Sequence, residues 1–78
     1  MAQIDLSNFE KREKDKYYVQ EKINSSYSVF IINDEKYFQI DTYGSSDRKL
    51  LGKASQAIQF DKTVAKVLVE ILKREYNL

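Results

Sequence analysis

The chain reads as an α+β domain in which a four-stranded antiparallel sheet is followed by one C-terminal helix, in the order ββββα. Three observations carry that reading. From Tyr17 to Phe60 apolar residues recur with period two, the spacing of half-buried strands. From Asp61 onward the period lengthens to that of an α-helix. Between the runs stand clusters of Asn, Ser, Asp and Gly, the residue types that turn a chain.

Residues 1–16 hold the mixed-sign run Glu10-Lys11-Arg12-Glu13-Lys14-Asp15-Lys16 and only a few apolar residues, Ile4, Leu6 and Phe9. Such a composition predicts a charged tail, with the domain proper spanning 17–78. The alternative for this stretch is a helical turn with Ser7 as N-cap and Glu10 as its capping-box partner. The first strand is expected from Tyr17 to Ile23, with Tyr17, Val19, Glu21 and Ile23 on one side and Tyr18, Gln20 and Lys22 on the other. Asn24-Ser25-Ser26 supplies a turn into Tyr27-Ser28-Val29-Phe30-Ile31-Ile32, rich in the β-branched and aromatic residues that suit a pleated surface. Asn33-Asp34-Glu35-Lys36 then reads as a tight polar turn into Tyr37–Tyr43, so the two strands form a hairpin. In the second of them Phe38, Ile40 and Thr42 alternate against Tyr37, Gln39, Asp41 and Tyr43. A loop runs from Gly44 to Gly52, and a fourth strand from Lys53 to Phe60 sets Ile58 and Phe60 against Ser55, Ala57 and Gln59.

Asp61 is placed to cap the helix, because its carboxylate can accept the unpaired N–H groups of Thr63 or Val64 and sits at the positive end of the helix dipole. The helix is expected to reach about Tyr76. On a helical wheel Val64, Ala65, Val67, Leu68, Val69, Ile71, Leu72 and Tyr76 cover an arc of roughly 200°, about twice the stripe that one sheet requires. Lys66, Glu70, Lys73 and Arg74 form the remaining polar strip. An apolar arc of that width predicts a helix packed both on its own sheet and on a second copy, through Val64, Val67, Leu68 and Ile71. Length agrees with this expectation. A 78-residue chain without cysteine buries little core by itself, and self-association is a common remedy.

Composition closes off most chemistry. With no cysteine and no histidine there is no thiol nucleophile, disulfide framework, Ser-His-Asp triad or ordinary zinc site. Asp34, Glu35 and Asp41 beside Lys36 are the one carboxylate set with the chemistry to hold a magnesium ion, but Asp34 and Glu35 are better read as turn residues. No phosphate-binding glycine loop occurs. A non-enzymatic protein that needs neither cofactor nor metal is the expectation. Thirteen Lys and Arg against twelve Asp and Glu leave a net charge of +1, and the positive excess lies around Arg48, Lys49 and Lys53. Apolar runs stay at a few residues, as at Val67–Val69, so neither a signal peptide nor a membrane span is expected and a cytoplasmic protein is.

The succession of four strands and a helix after a charged tail resembles the fold of the positive cofactor four family of transcriptional coactivators and their bacterial single-stranded-DNA-binding relatives. The resemblance covers about residues 17–76 and is carried by Gln39-Ile40-Asp41-Thr42-Tyr43 and by Gln56-Ala57-Ile58-Gln59-Phe60-Asp61. Asp41 stands where the family's pattern has arginine, and Gln56 and Ala57 where it has lysine and glycine. The resemblance implies a homodimer whose helices pack together and whose sheets carry single-stranded DNA.

The residues themselves point to a similar surface. If the helix covers the face bearing Phe38, Ile40, Ile58 and Phe60, the opposite face presents Tyr18, Gln20, Lys22, Tyr37, Gln39, Tyr43 and Gln59. Tyrosines can stack on any base while amides bond base edges or phosphates, so this pattern suits single-stranded DNA or RNA. Arg48, Lys49 and Lys53 are then the expected phosphate contacts. The competing expectation is a small protein-interaction or inhibitor module that presents the same tyrosines to a protein partner.

Overall fold

The computed structural model describes residues 1–44 and 54–78. Its fold is α+β, a four-stranded mixed sheet followed by one C-terminal helix. The strands are β1 (Ala2–Gln3), β2 (Ser25–Ile32), β3 (Glu35–Thr42) and β4 (Gln56–Phe60), arranged β1-β4-β3-β2, and the helix α1 spans Lys62–Tyr76.

The centre of the sheet follows from local chemistry. Asn33 and Asp34 alone connect β2 to β3, with φ of 52° and 64°. Both central residues of a type I′ turn need positive φ, and Asn and Asp tolerate it better than other residues with a side chain. That turn sets the register Ile32↔Glu35 through Ser25↔Thr42, so Glu35 and Lys36 belong to the strand and not to the turn. β4 lies antiparallel on the other side of β3, with Phe38 opposite Phe60 and Ile40 opposite Ile58. Gly44, at φ 76°, ends this run in the left-handed region where a Cβ would be penalised. From Ser45 the loop expected up to Gly52 lies outside the described residues, as does Lys53.

The helix ends are those its caps dictate. Val64 donates its N–H to the Asp61 carboxylate at 3.0 Å. At the far end Asn77 adopts the left-handed conformation, and the Leu78 amide donates to the Lys73 carbonyl at 3.0 Å.

Two expectations change at the fourth strand. Tyr17–Ile23 forms no strand, and the residues from Phe9 to Asn24 carry neither helix nor strand. The fourth strand comes instead from the first residues, where Ala2 and Gln3 pair in parallel with Ile58 and Gln59, so the sheet is mixed and not wholly antiparallel. The reason lies in what β4 lacks without them: its second edge would leave backbone groups unpaired. The Ile4 N–H extends the pairing by donating to the Gln59 carbonyl at 2.9 Å. Ile4 and Leu6 then share a cleft with Val64. A 3₁₀ turn over Leu6–Asn8 follows, capped by Asp5 and not by Ser7. The first eight residues thus pack with the domain, and the boundary expected at residue 16 does not separate a tail from it.

The core is thin. Val64, 2% exposed, is the one fully buried hydrophobic residue among those described. Phe38 stacks between Tyr27 and Phe60, with ring centroids 5.2 Å away on each side. The chain exposes 7290 Å², whereas a compact monomer of 9.2 kDa exposes about 4,900 Å². Its radius of gyration is 14.7 Å, against about 11.5 Å for a compact chain of 78 residues.

Candidate nucleic-acid interface

The pairing register sorts the sheet into two faces, since residues opposite one another in a ladder point to the same side. One face carries Tyr27, Val29, Ile31, Phe38, Ile40, Ile58 and Phe60. The helix stands over part of it, with Val29, Phe38 and Phe60 forming one wall of a cleft and Thr63 and Ala65 the other. The opposite face carries Ser26, Ser28, Phe30 and Ile32 from β2, Glu35, Tyr37, Gln39 and Asp41 from β3, Ala57 and Gln59 from β4, and Gln3 from β1.

On that second face the polar side chains bond to one another. Gln59 Nε2 donates to Gln39 Oε1 at 2.7 Å, and Gln39 Nε2 donates to Asp41 Oδ1 at 2.8 Å. Gln3, Gln59, Gln39 and Ser28 stand in one register row that crosses all four strands. Gln3, Gln39, Ala57 and Gln59 line a shallow hollow with Met1 and Ala2 at its rim. Tyrosines flank the row. Tyr43 shares a 2.6 Å hydrogen bond between its hydroxyl and Ser26 Oγ, and the Tyr37 ring lies 5.6 Å from that of Phe30. Tyr37, Gln39, Asp41, Tyr43 and Gln59 are all half-buried, so their backs are fixed by the sheet while one side of each stays open.

The structure therefore brings together four of the expected contact residues, Tyr37, Gln39, Tyr43 and Gln59. Tyr18 and Lys22 are not among them, because both sit in the exposed stretch outside the sheet. Arg48, Lys49 and Lys53 lie outside the described residues. Gln3, Ser26, Ser28 and Phe30 join this surface without having been expected on it. Gln3 had no signal, since two residues of strand make no period. Asp41 was placed on this side of the strand by its alternation with Gln39 and Tyr43, though not among the expected contacts.

Of the residues expected to hold a second copy, Val64 is used up inside the chain, while Val67, Leu68 and Ile71 are half-buried. The apolar residues that α1 leaves open are Val69, Leu72 and Tyr76, which fall together about 100° round the helix from the Val64 side. On the sheet Tyr27 and Ile31, 71% and 64% exposed, and Val29, Ile40 and Ile58 are open as well, many apolar residues for so small a chain to leave in water.

Asp5 is the described group whose acidity clearly departs from the ordinary. Hydrogen bonds from the Asn8 side-chain amide at 2.9 Å and the Ser7 N–H at 3.0 Å hold its carboxyl below the usual range.

No helix among the described residues is long and apolar enough to cross a membrane. Comparison with protein-family models, with curated proteins and with solved structures finds no significant match to this chain.

Proposed function

We propose that the protein is a small cytoplasmic homodimer that binds single-stranded nucleic acid on its polar sheet face and acts as a binding module in transcription, replication or repair. The observation that carries the reading is the row of amides flanked by Tyr37 and Tyr43 on the face turned away from the helix. A π-face accepts any base, and amide groups offer both donors and acceptors to base edges. The dimer is supported by the open apolar surface on the other side. Tyr27, Val29, Ile31, Ile40 and Ile58 are all exposed on it.

A second reading is favoured by one observation: the charged side chains that the described strands place on the polar face are carboxylates, Glu35 and Asp41. Carboxylates repel phosphates and suit a protein partner better.

Fluorescence anisotropy with a labelled single strand, a duplex and an RNA decides between them. Single-strand binding is expected to exceed duplex binding, and Tyr37→Ala to lose about 1–3 kcal/mol, the usual cost of removing a base-stacking platform. Absence of affinity for DNA and RNA even at low salt overturns the nucleic-acid reading in favour of the protein partner.

A further inference from the structure

The stretch Phe9–Asn24 is the part of the sequence that the fold does not absorb. Every residue from Phe9 to Lys22 is exposed, Val19 completely so. Its N-terminal root runs beside the end of α1, where Lys11 Nζ lies 3.8 Å from the Glu75 carboxylate, and its other end enters β2. Yet Tyr17–Ile23 has the period-two pattern of a strand, with Tyr17, Val19, Glu21 and Ile23 on one side and Tyr18, Gln20 and Lys22 on the other.

Next to it stands an edge that needs a strand. Among the described residues no strand pairs with the outer side of β2. Its eight residues, Ser-Ser-Tyr-Ser-Val-Phe-Ile-Ile, include no charge and no proline, and the pairing with β3 runs without a bulge. Proteins protect such edges with charges, prolines, bulges or shortness, and β2 has none of these. β1, at the opposite edge, is protected by being two residues long.

We infer that residues 17–23 of one copy pair with the outer edge of β2 in a second copy, each chain lending its arm to the other. The inference rests on the dimer of the proposed function and adds a second contact to it. The arm of the same chain is badly placed for that edge. The Asn24 carbonyl accepts from the Tyr43 amide at 3.0 Å, and Ser25 and Ser26 already face Thr42 and Asp41. A hairpin that brings the whole of residues 17–23 back onto its own β2 must turn at Asn24 and Ser25 and give up their pairings with Tyr43 and Thr42, whereas a strand from another molecule costs β2 nothing.

The pattern also selects a side. A strand shifted by one residue turns all of its side chains to the opposite face, so burial of one face dictates the parity. Tyr17, Val19 and Ile23 belong beside Tyr27, Val29 and Ile31, extending the apolar face, with Glu21 the one charged residue that comes with them. Tyr18, Gln20 and Lys22 then join the polar face. The two expected contact residues left outside the sheet of the single chain, Tyr18 and Lys22, thereby reach the surface that holds Tyr37, Gln39 and Gln59.

The absence of natural cysteine makes the test clean. Full-length Val19→Cys protein is mixed with a mass-tagged copy carrying Tyr27→Cys, Val29→Cys or Ile31→Cys, oxidised under mild conditions, and run on a non-reducing gel. Directly opposed strand residues on one face lie within disulfide reach. At least one of the three mixtures is expected to give a mixed disulfide, at tenfold or greater yield than the same mixture made with Tyr18→Cys, whose side chain points the other way. All the substituted positions are exposed, so the variants keep the fold. The double variants joining Val19→Cys to each of the three in one chain are oxidised in parallel; an intrachain disulfide in a monomer overturns the exchange. Light scattering on the same samples separates the remaining outcomes. A dimer without the cross-link overturns the arm pairing alone, and a monomer overturns the dimer reading with it.

Discussion

The two faces of the sheet are built from the same strands and solve opposite problems. On the polar face Gln59, Gln39 and Asp41 satisfy one another and Tyr43 bonds Ser26, so the surface is complete in water. On the apolar face Tyr27, Val29, Ile31, Ile40 and Ile58 are each more than a third exposed, although a helix stands beside them. Apolar area costs roughly 25 cal/mol per Å² left in water, and α1 covers too little of it. The difference teaches that the chain finishes one face by itself and leaves the other open.

The largest effect expected is a contrast between these faces. Ile58→Asp places a charge on the face where the proposed dimer would close and is predicted to cost more than about 3 kcal/mol, the penalty of burying an unpaired charge. Ser28→Asp, on the polar face, is predicted to stay within about 0.5 kcal/mol, the usual range for a surface change. Thermal melts at two protein concentrations check both: the wild type and the Ser28 variant should melt higher at high concentration, as a dimer does, and the Ile58 variant should lose that dependence. Equal behaviour of the two variants breaks the comparison.

Deletion of residues 2–8 comes next. It removes the partner of the β4 edge and uncovers Val64 on its Ile4 and Leu6 side, for a predicted loss of about 2–3 kcal/mol, or at least ~10 °C in melting temperature. Deletion of residues 10–14, exposed throughout, is predicted to leave the melting temperature within a few degrees. Asp61→Ala tests the seating of the helix. Loss of the 3.0 Å cap to Val64 is expected to cost about 1 kcal/mol in chemical denaturation.

The smallest effect is the pH response of the Asp5 cap. Its carboxyl is held below its ordinary value by Asn8 and Ser7, so the unfolded chain takes up a proton at higher pH than the folded one. The contribution is therefore fully present above the unfolded value and is lost as pH falls through the folded one. Asp5→Asn is expected to flatten that acid limb slightly in pH-dependent melts, leaving neutral pH nearly unchanged.

How much of this was legible in the sequence varies by element. The β2–β3 hairpin, the Asp61 cap and the helix were plain, because a period, a polar turn and a capping carboxylate are local, although the turn is Asn33-Asp34 alone and not the four residues to Lys36. The grouping of Tyr37, Gln39, Tyr43 and Gln59 was legible too, since alternation within each strand sorted them once β4 lay beside β3 in register. Gln3 was not, because the sheet edge it fills is assembled from residues more than fifty positions apart. Val64 looked like an interface residue for a similar reason: the wheel shows that an arc is apolar, not which part of it Ile4 and Leu6 will reach.

What the sequence by itself determined is the class, the helix with both its ends, the central hairpin and the division of side chains between two faces. All of these depend on neighbours within a few residues, where backbone geometry and hydrogen-bond reach leave few choices. Tertiary structure alone decided which segment became the fourth strand. Tyr17–Ile23 has the better pattern, yet Ala2–Gln3 holds the place, because the β4 edge and the Val64 cleft lie where Ile4 and Leu6 can satisfy both at once. A pattern states what a segment is able to pair with; the geometry of the free edges settles what it does pair with.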